Sequence, residues 1–289
     1  MYPPQNKGEA GPQAAGAVQA IGVVLLALVL AVAVAGCSLL GEKEPPQGTF
    51  ELPNGRSLYI ECIGSGSPPI VIEAGISMSG AEMFELQKPL ARHHMTCTYD
   101  RANIGSSGKA PTPRTAGEIV TDLHQLLQMA DVPEPHVLVG HSAGGFLVQL
   151  YGRRYSDEVK GVVAMSPVPP AHPWLDRVLP RFNEDERDAA LAFYRGENEE
   201  QINWLASSKE LNKAPSPARK PFAVLLSTKL ECLGDPPCLK SYDIYEEVER
   251  EVARQWPEGS YRQVEDAYHE IYVQKPGVVV DTVERVASK

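Results

Sequence analysis

From residue 57 onward, short apolar runs of strand character alternate with longer stretches whose apolar residues recur every three or four positions. Residues 57–62, 69–73, 95–99, 136–139, 160–165, 222–227 and 261–264 have the first pattern, rich in Val, Ile, Leu and Tyr. Residues 81–92, 115–129, 143–154, 242–255 and 278–286 have the second; in 115–129 the stripe is Ile119, Leu123, Leu126 and Leu127. Strands alternating with helices predict an α/β fold, a mostly parallel central sheet covered by helices on both faces. The alternation breaks between residues 167 and 221, a stretch that opens and closes in prolines and holds two helical patterns. One starts at Asn183 with Glu186 three residues on, a capping-box spacing. This stretch predicts a helical cap inserted between two strands.

The N-terminal region has a different pattern. Residues 21–35 are an unbroken apolar run that ends at Gly36-Cys37, as expected of an export signal. Val34-Ala35-Gly36-Cys37 resembles the lipobox of bacterial lipoproteins. That resemblance implies a signal peptide over residues 1–36, lipid on Cys37, a tether over 37–48 and a folded domain over 49–289. It would place the protein at the cell membrane, lipid-anchored on the extracytoplasmic face. The competing expectation is an uncleaved membrane anchor, since the apolar stretch can be extended back to residue 14.

Charge and cysteine content narrow the picture further. A formal net charge of −10 leaves no basic footprint for nucleic acid. With Cys37 assigned to lipid, four of the five cysteines remain, an even number suited to two disulfides in an oxidising compartment. Cys232 and Cys238 flank the turn-rich Gly234-Asp235-Pro236-Pro237 and form one candidate pair; buried free thiols are the alternative. No cysteine or histidine spacing suggests a zinc site, and no metal or organic cofactor is called for.

The chemistry concentrates in Gly140-His141-Ser142-Ala143-Gly144-Gly145, directly after one expected strand and directly before a helix. A nucleophile elbow needs that context: a strand, a tight turn whose glycines admit close backbone approach, and a helix N-terminus facing the site. Ser142 is the candidate nucleophile. A serine needs a base, and of seven histidines His269 has the best placement, in a loop after the last expected strand. His141 is expected to point away from the nucleophile and His172 to be a cap or surface residue.

With these motifs the chain resembles the α/β-hydrolase family over residues 50–286. Val71-Ile72-Glu73-Ala74-Gly75 is similar to the family's strand and oxyanion loop. Tyr99-Asp100-Arg101-Ala102 with Gly105 and Ser106 resembles the loop after its fourth strand, where Asp100 and Arg101 would pair structurally. Residues 154–159 resemble the end of the elbow helix, and His269 with Pro276 resembles the catalytic histidine and the Pro-initiated last helix. The resemblance implies oxyanion donors at the Ile76 and Ala143 amides and makes the strands of Cys62 and Cys97 neighbours, able to bridge. It also implies a triad acid after the strand at 222–227, because Ser166-Pro167 occupies the other usual position. Glu231, ten residues after Pro221, is expected ahead of Asp235. The implied activity is serine hydrolysis of small carboxylic esters through an acyl-enzyme. A peptidase or amidase of the same fold and a non-catalytic binding module are the alternatives.

Overall fold

The computed structural model describes Met1, residues 44–229 and residues 236–289, the backbone alone for 236–239. Cys37, Glu231, Cys232, Asp235 and the side chain of Cys238 therefore lie outside the described residues. One compact unit spans Pro45–Lys289. Its sheet strands are β1 (Gln47–Glu51), β2 (Ser57–Ile63), β3 (Ile70–Glu73), β4 (Thr96–Tyr99), β5 (His136–His141), β6 (Val159–Met165), β7 (Pro221–Ser227) and β8 (Glu258–Val264). They lie in the order β1-β2-β4-β3-β5-β6-β7-β8. β1, β2 and β4 pair antiparallel; from β4 to β8 every pairing is parallel.

The helices are α1 (Phe84–Leu90), α2 (Ala116–Met129), α3 (Ala143–Arg154), α4 (Ala171–Val178), α5 (Glu184–Arg195), α6 (Trp204–Lys213), α7 (Pro236–Arg254), α8 (Ile271–Gln274) and α9 (Pro276–Ala287). Neighbouring residues of a strand point to opposite faces, so the parallel strands feed two cores. Val71, Leu138, Val162 and Val224 pack with Leu123 and Leu126 of α2, Phe146 of α3 and Val248 of α7. Ile72, Val139, Val163 and Leu225 pack with Leu86 and Leu90 of α1 and Val279 and Val283 of α9. Strands buried on both faces have to be apolar throughout, which is why their runs stood out.

The cap comprises α4, α5 and α6 with a 3₁₀ turn (Leu179–Arg181), one helix more than the sequence pattern suggested. α5 starts with the expected capping box, Asn183 accepting from the Glu186 amide and Glu186 from the Asn183 amide. The stretch expected as one helix over 81–92 divides into a 3₁₀ turn (Gly80–Met83) and α1. α7 begins at Pro236, six residues before the expected start. Proline is tolerated in the first helical turn because its missing N–H has no acceptor there, so the Pro236-Pro237 pair opens the helix instead of marking a turn. β1 begins at Gln47, inside the segment expected to be tether. Among the described residues no helix is long and apolar enough to cross a membrane.

Candidate active site

Ser142 joins β5 to α3 with φ 54° and ψ −116°, a backbone conformation that costs a non-glycine residue free energy and persists only where neighbours impose it. They do so here from three sides. The Ser142 amide donates to the Met165 carbonyl at the end of β6, 2.9 Å away, and the Ser142 carbonyl accepts from the amides of Gly145 (2.9 Å) and Val168 (3.0 Å). The elbow also requires its glycines. A Cβ on Gly140 would stand 2.3 Å from the Gly144 carbonyl oxygen, and one on Gly144 would stand 2.2 Å from that of Glu73. That second approach seats the elbow directly on the strand leading to the expected oxyanion loop. Ala143 is the first residue of α3, where a backbone N–H has no intrahelical acceptor and the helix dipole favours negative charge.

His269 sits between β8 and α8 and lines the same pocket as Ser142, a cavity of about 210 Å³. Pro167, Val168 and Pro169, which enter the cap, form one wall, and Trp174 of α4 and Tyr245 of α7 another. The two aromatic rings meet edge to face at 5.9 Å. Tyr245 donates its hydroxyl to the Pro167 carbonyl at 2.6 Å, and the pocket is left a mostly apolar surface. The structure thus brings together the two residues expected to attack and to move the proton. His141, expected to point away from the nucleophile, packs its ring against those of His269 and Tyr272. His172 is exposed on α4, and His94 and His124 bond to Glu284 and Glu158 elsewhere. Among the described residues no group of three or more His, Cys, Asp or Glu could hold a metal ion.

At the end of β6, Ser166 is buried with its Oγ 3.2 Å from Ser227 Oγ, in the position where some hydrolases carry their acid. Cys62 and Cys97 face each other across β2 and β4 and are joined by a disulfide.

Sequence reasoning assigned Arg101 a structural pairing role but missed how the pairing extends into the cap. Glu73, at the end of β3, is fully buried and accepts from Tyr99 Oη (2.5 Å) and Arg101 Nη1 (2.7 Å). Burial pushes its carboxyl pKa up, although Arg101 and Tyr99 pull against that. Arg101 also donates to the carbonyls of Ala74 (2.9 Å) and Gly75 (2.6 Å). Its outer edge holds Glu200, in the cap loop between α5 and α6, through Nε at 3.0 Å and a short Nη2 bond. Burial alone would ease the proton off this guanidinium, but the Glu200 and Glu73 carboxylates outweigh it and keep it charged. Asp100 accepts from the amides of Gly80 and Ser106, a structural task.

This topology and elbow are those of one large hydrolase class, and comparison with known proteins agrees. A family described as "alpha/beta hydrolase fold" matches residues 68–218, just over half of the chain, and the protein belongs to that family. YqjL of Bacillus subtilis is 36% identical over 104 residues, which are 36% of this chain and 41% of YqjL. The chain thus spans less than half of the length of that curated relative. The enol-lactonase from Burkholderia xenovorans superposes with a TM-score of 0.59 at 16% identity, over 84% of this chain and 100% of that one. A thermophilic esterase from Thermogutta terrifontis superposes at 0.57 with 18% identity, over 83% and 97%. At those identities the two structures speak for the fold alone.

Proposed function

We propose that the protein is a serine hydrolase that cleaves small carboxylic esters through an acyl-enzyme. The observation that carries this reading is the sharing of one small apolar pocket by His269 and a Ser142 held in elbow geometry at a helix N-terminus. In the reaction His269 takes the Ser142 proton as Oγ attacks the ester carbonyl carbon. The Ile76 and Ala143 amides bind the resulting oxyanion. The intermediate collapses with His269 protonating the departing alkoxide, and water, activated by the same imidazole, releases the acid. Glu231, with Asp235 as the alternative, is the proposed carboxylate that orients His269. Enol-lactonase and esterase chemistry in proteins of this shape is consistent with an ester substrate.

The test is a panel of short chromogenic esters and aminoacyl amides together with a fluorophosphonate probe. Ester turnover and labelling are expected in the wild type, with both abolished in Ser142→Ala. Preferential turnover of the amides would make the protein a peptidase or amidase, and neither turnover nor labelling would favour a binding module.

The proposed location is the outer face of the cytoplasmic membrane, through a lipid on Cys37 after removal of residues 1–36. Its support is the apolar run over residues 21–35 ending at a small-small-Cys junction. Mass spectrometry of the native N-terminus is expected to find lipidated Cys37; a mature chain beginning anywhere else overturns the assignment.

A further inference from the structure

We infer that Glu200, a carboxylate of the cap, is a positioning residue that works with Arg101 to aim the Ile76 amide, so that the oxyanion hole is complete only when the cap loop is seated. The inference rests on the reading of Ser142 and Ile76 given above and adds to it a cap residue 99 positions from Arg101 in the chain.

The argument follows from peptide geometry. A peptide unit is planar, and in the trans form its C=O and N–H point in opposite directions. The Gly75 carbonyl and the Ile76 N–H belong to one such unit, and its bond is not among the cis peptides of the chain. Arg101 Nη2 grips the Gly75 oxygen at 2.6 Å and thereby fixes the direction in which the Ile76 N–H points on the far side. The next peptide unit, from Ile76 to Ser77, is held through its own N–H, which donates to Glu200 Oε1 at 2.6 Å. Both planes flanking the Ile76 Cα are therefore clamped, one by Arg101 and the other by Glu200.

Glu200 also holds the clamp itself. Its two oxygens receive Nε and Nη2 of Arg101, the edge of the guanidinium nearest the cap, while Glu73 takes Nη1. The Arg101 and Glu200 side chains are only 1% and 6% exposed, so water competes little for these bonds. Ser77 has φ 60°, a left-handed conformation unfavourable for serine, and the Glu200 bond to its amide is part of what holds it there. The cap loop in turn is fixed on the body by backbone bonds that directly follow Glu200: the Arg114 amide to the Gln201 carbonyl at 3.0 Å, and the Asn203 amide to the Arg114 carbonyl at 2.8 Å.

A loose clamp lets the Ile76 N–H swing away from the developing oxyanion while the substrate pocket, formed by other residues, stays intact. Misplacing a catalytic group by about 1 Å can cost on the order of 10²-fold in rate. In Glu200→Ala, kcat on a short ester should fall about tenfold to a hundredfold with KM within about twofold of wild type. Glu200→Gln keeps an acceptor for the Ser77 amide and should recover most of the loss.

The experiment is steady-state kinetics on the full chain for wild type, Glu200→Ala and Glu200→Gln, with hydrogen–deuterium exchange of the peptide covering residues 74–79 in each. The inference stands if Glu200→Ala alone loses kcat and exchanges faster in that peptide. It is overturned if Glu200→Ala keeps wild-type kcat, or if its loss appears equally in KM. A wild type that turns over no ester would overturn the hydrolase reading, and this role with it, before any variant is compared. The exchange data would then still report whether Glu200 holds the loop.

Discussion

The imidazole of His141 donates from Nε2 to the backbone carbonyl of His269, 3.2 Å away, with the two rings 4.7 Å apart. A carbonyl can only accept, so the His141 proton is on Nε2. Nδ1 is buried with no hydrogen-bond partner among the described residues. Burial, and secondarily His269, push the His141 pKa down to about 3, so the ring is neutral wherever the protein is folded near neutral pH. The side chain just before the strained serine thus fastens the loop that carries the proposed base.

His141→Phe keeps a ring against Tyr272 and removes that donor. Turnover of a short ester should fall about tenfold through a looser His269. The variant should also lose part of the acid sensitivity of the fold. Because the folded pKa lies below the ordinary 6.5, the unfolded chain takes up the proton first, and stability declines as pH falls from about 6.5 towards 3. Urea midpoints at pH 7 and pH 4.5 should differ less in the variant than in wild type; an equal difference would count against the assignment.

Gly144→Ala should damage both fold and site. The new methyl would lie 2.2 Å from the Glu73 carbonyl oxygen and 2.7 Å from that of Ala74, backbone atoms that cannot move aside without shifting β3. Overpacking of this kind costs about 1–3 kcal/mol. Chemical denaturation should show a loss in that range, accompanied by slower fluorophosphonate labelling of Ser142.

Glu249, in α7, is fully buried, and neither carboxyl oxygen has a hydrogen-bond partner among the described residues. Burial raises its pKa well above 4.5. The unfolded chain loses this proton first as pH rises, so the protein is destabilised progressively above about pH 4.5, until the folded pKa is passed. Glu249→Gln has nearly the same shape and never ionises. Its stability should match that of wild type near pH 4.5 and exceed it at pH 8, measured by urea denaturation. Parallel pH profiles would show that Glu249 finds a partner in solution.

The Cys62–Cys97 disulfide closes a loop with a sequence separation of 35. On the chain-entropy account a loop of that size contributes about 3–4 kcal/mol. The Cys62→Ala/Cys97→Ala double variant should be less stable by roughly that amount, and wild type in reductant should move towards it. Non-reducing peptide mapping that finds both thiols alkylatable would refute the link.

Much of the interior was legible because its signals are local. β3, β5, β6 and β7 lie between two helical layers, must be apolar on both faces, and appear as continuous Val, Ile and Leu runs. The two sheet edges were read less well. β1 was missed and β8 begins three residues before the expected start, because an edge strand with exposed positions can be polar, as Gln47–Glu51 and Glu258–Val264 are. The pattern suggested two cap helices where the structure has three, and α4 starts directly after Pro170, where prolines mark a helix entry and not an irregular loop.

The sequence by itself determined the elbow, since the strand, the glycines, Ser142 and the helix that follows are consecutive residues whose conformations constrain one another. It also placed His269 after the last strand, a matter of chain order. Only the tertiary structure decided that His141 would hold the His269 loop, and that Glu200 would reach the Ser77 amide in the proposed oxyanion loop while Glu197 and Glu199 stay exposed. Nothing local distinguishes these three glutamates. What separates them is the docking of residues 201–203 on Arg114, which turns one carboxylate towards a buried guanidinium, and such a charge is stable inside only where a partner from a distant part of the chain meets it.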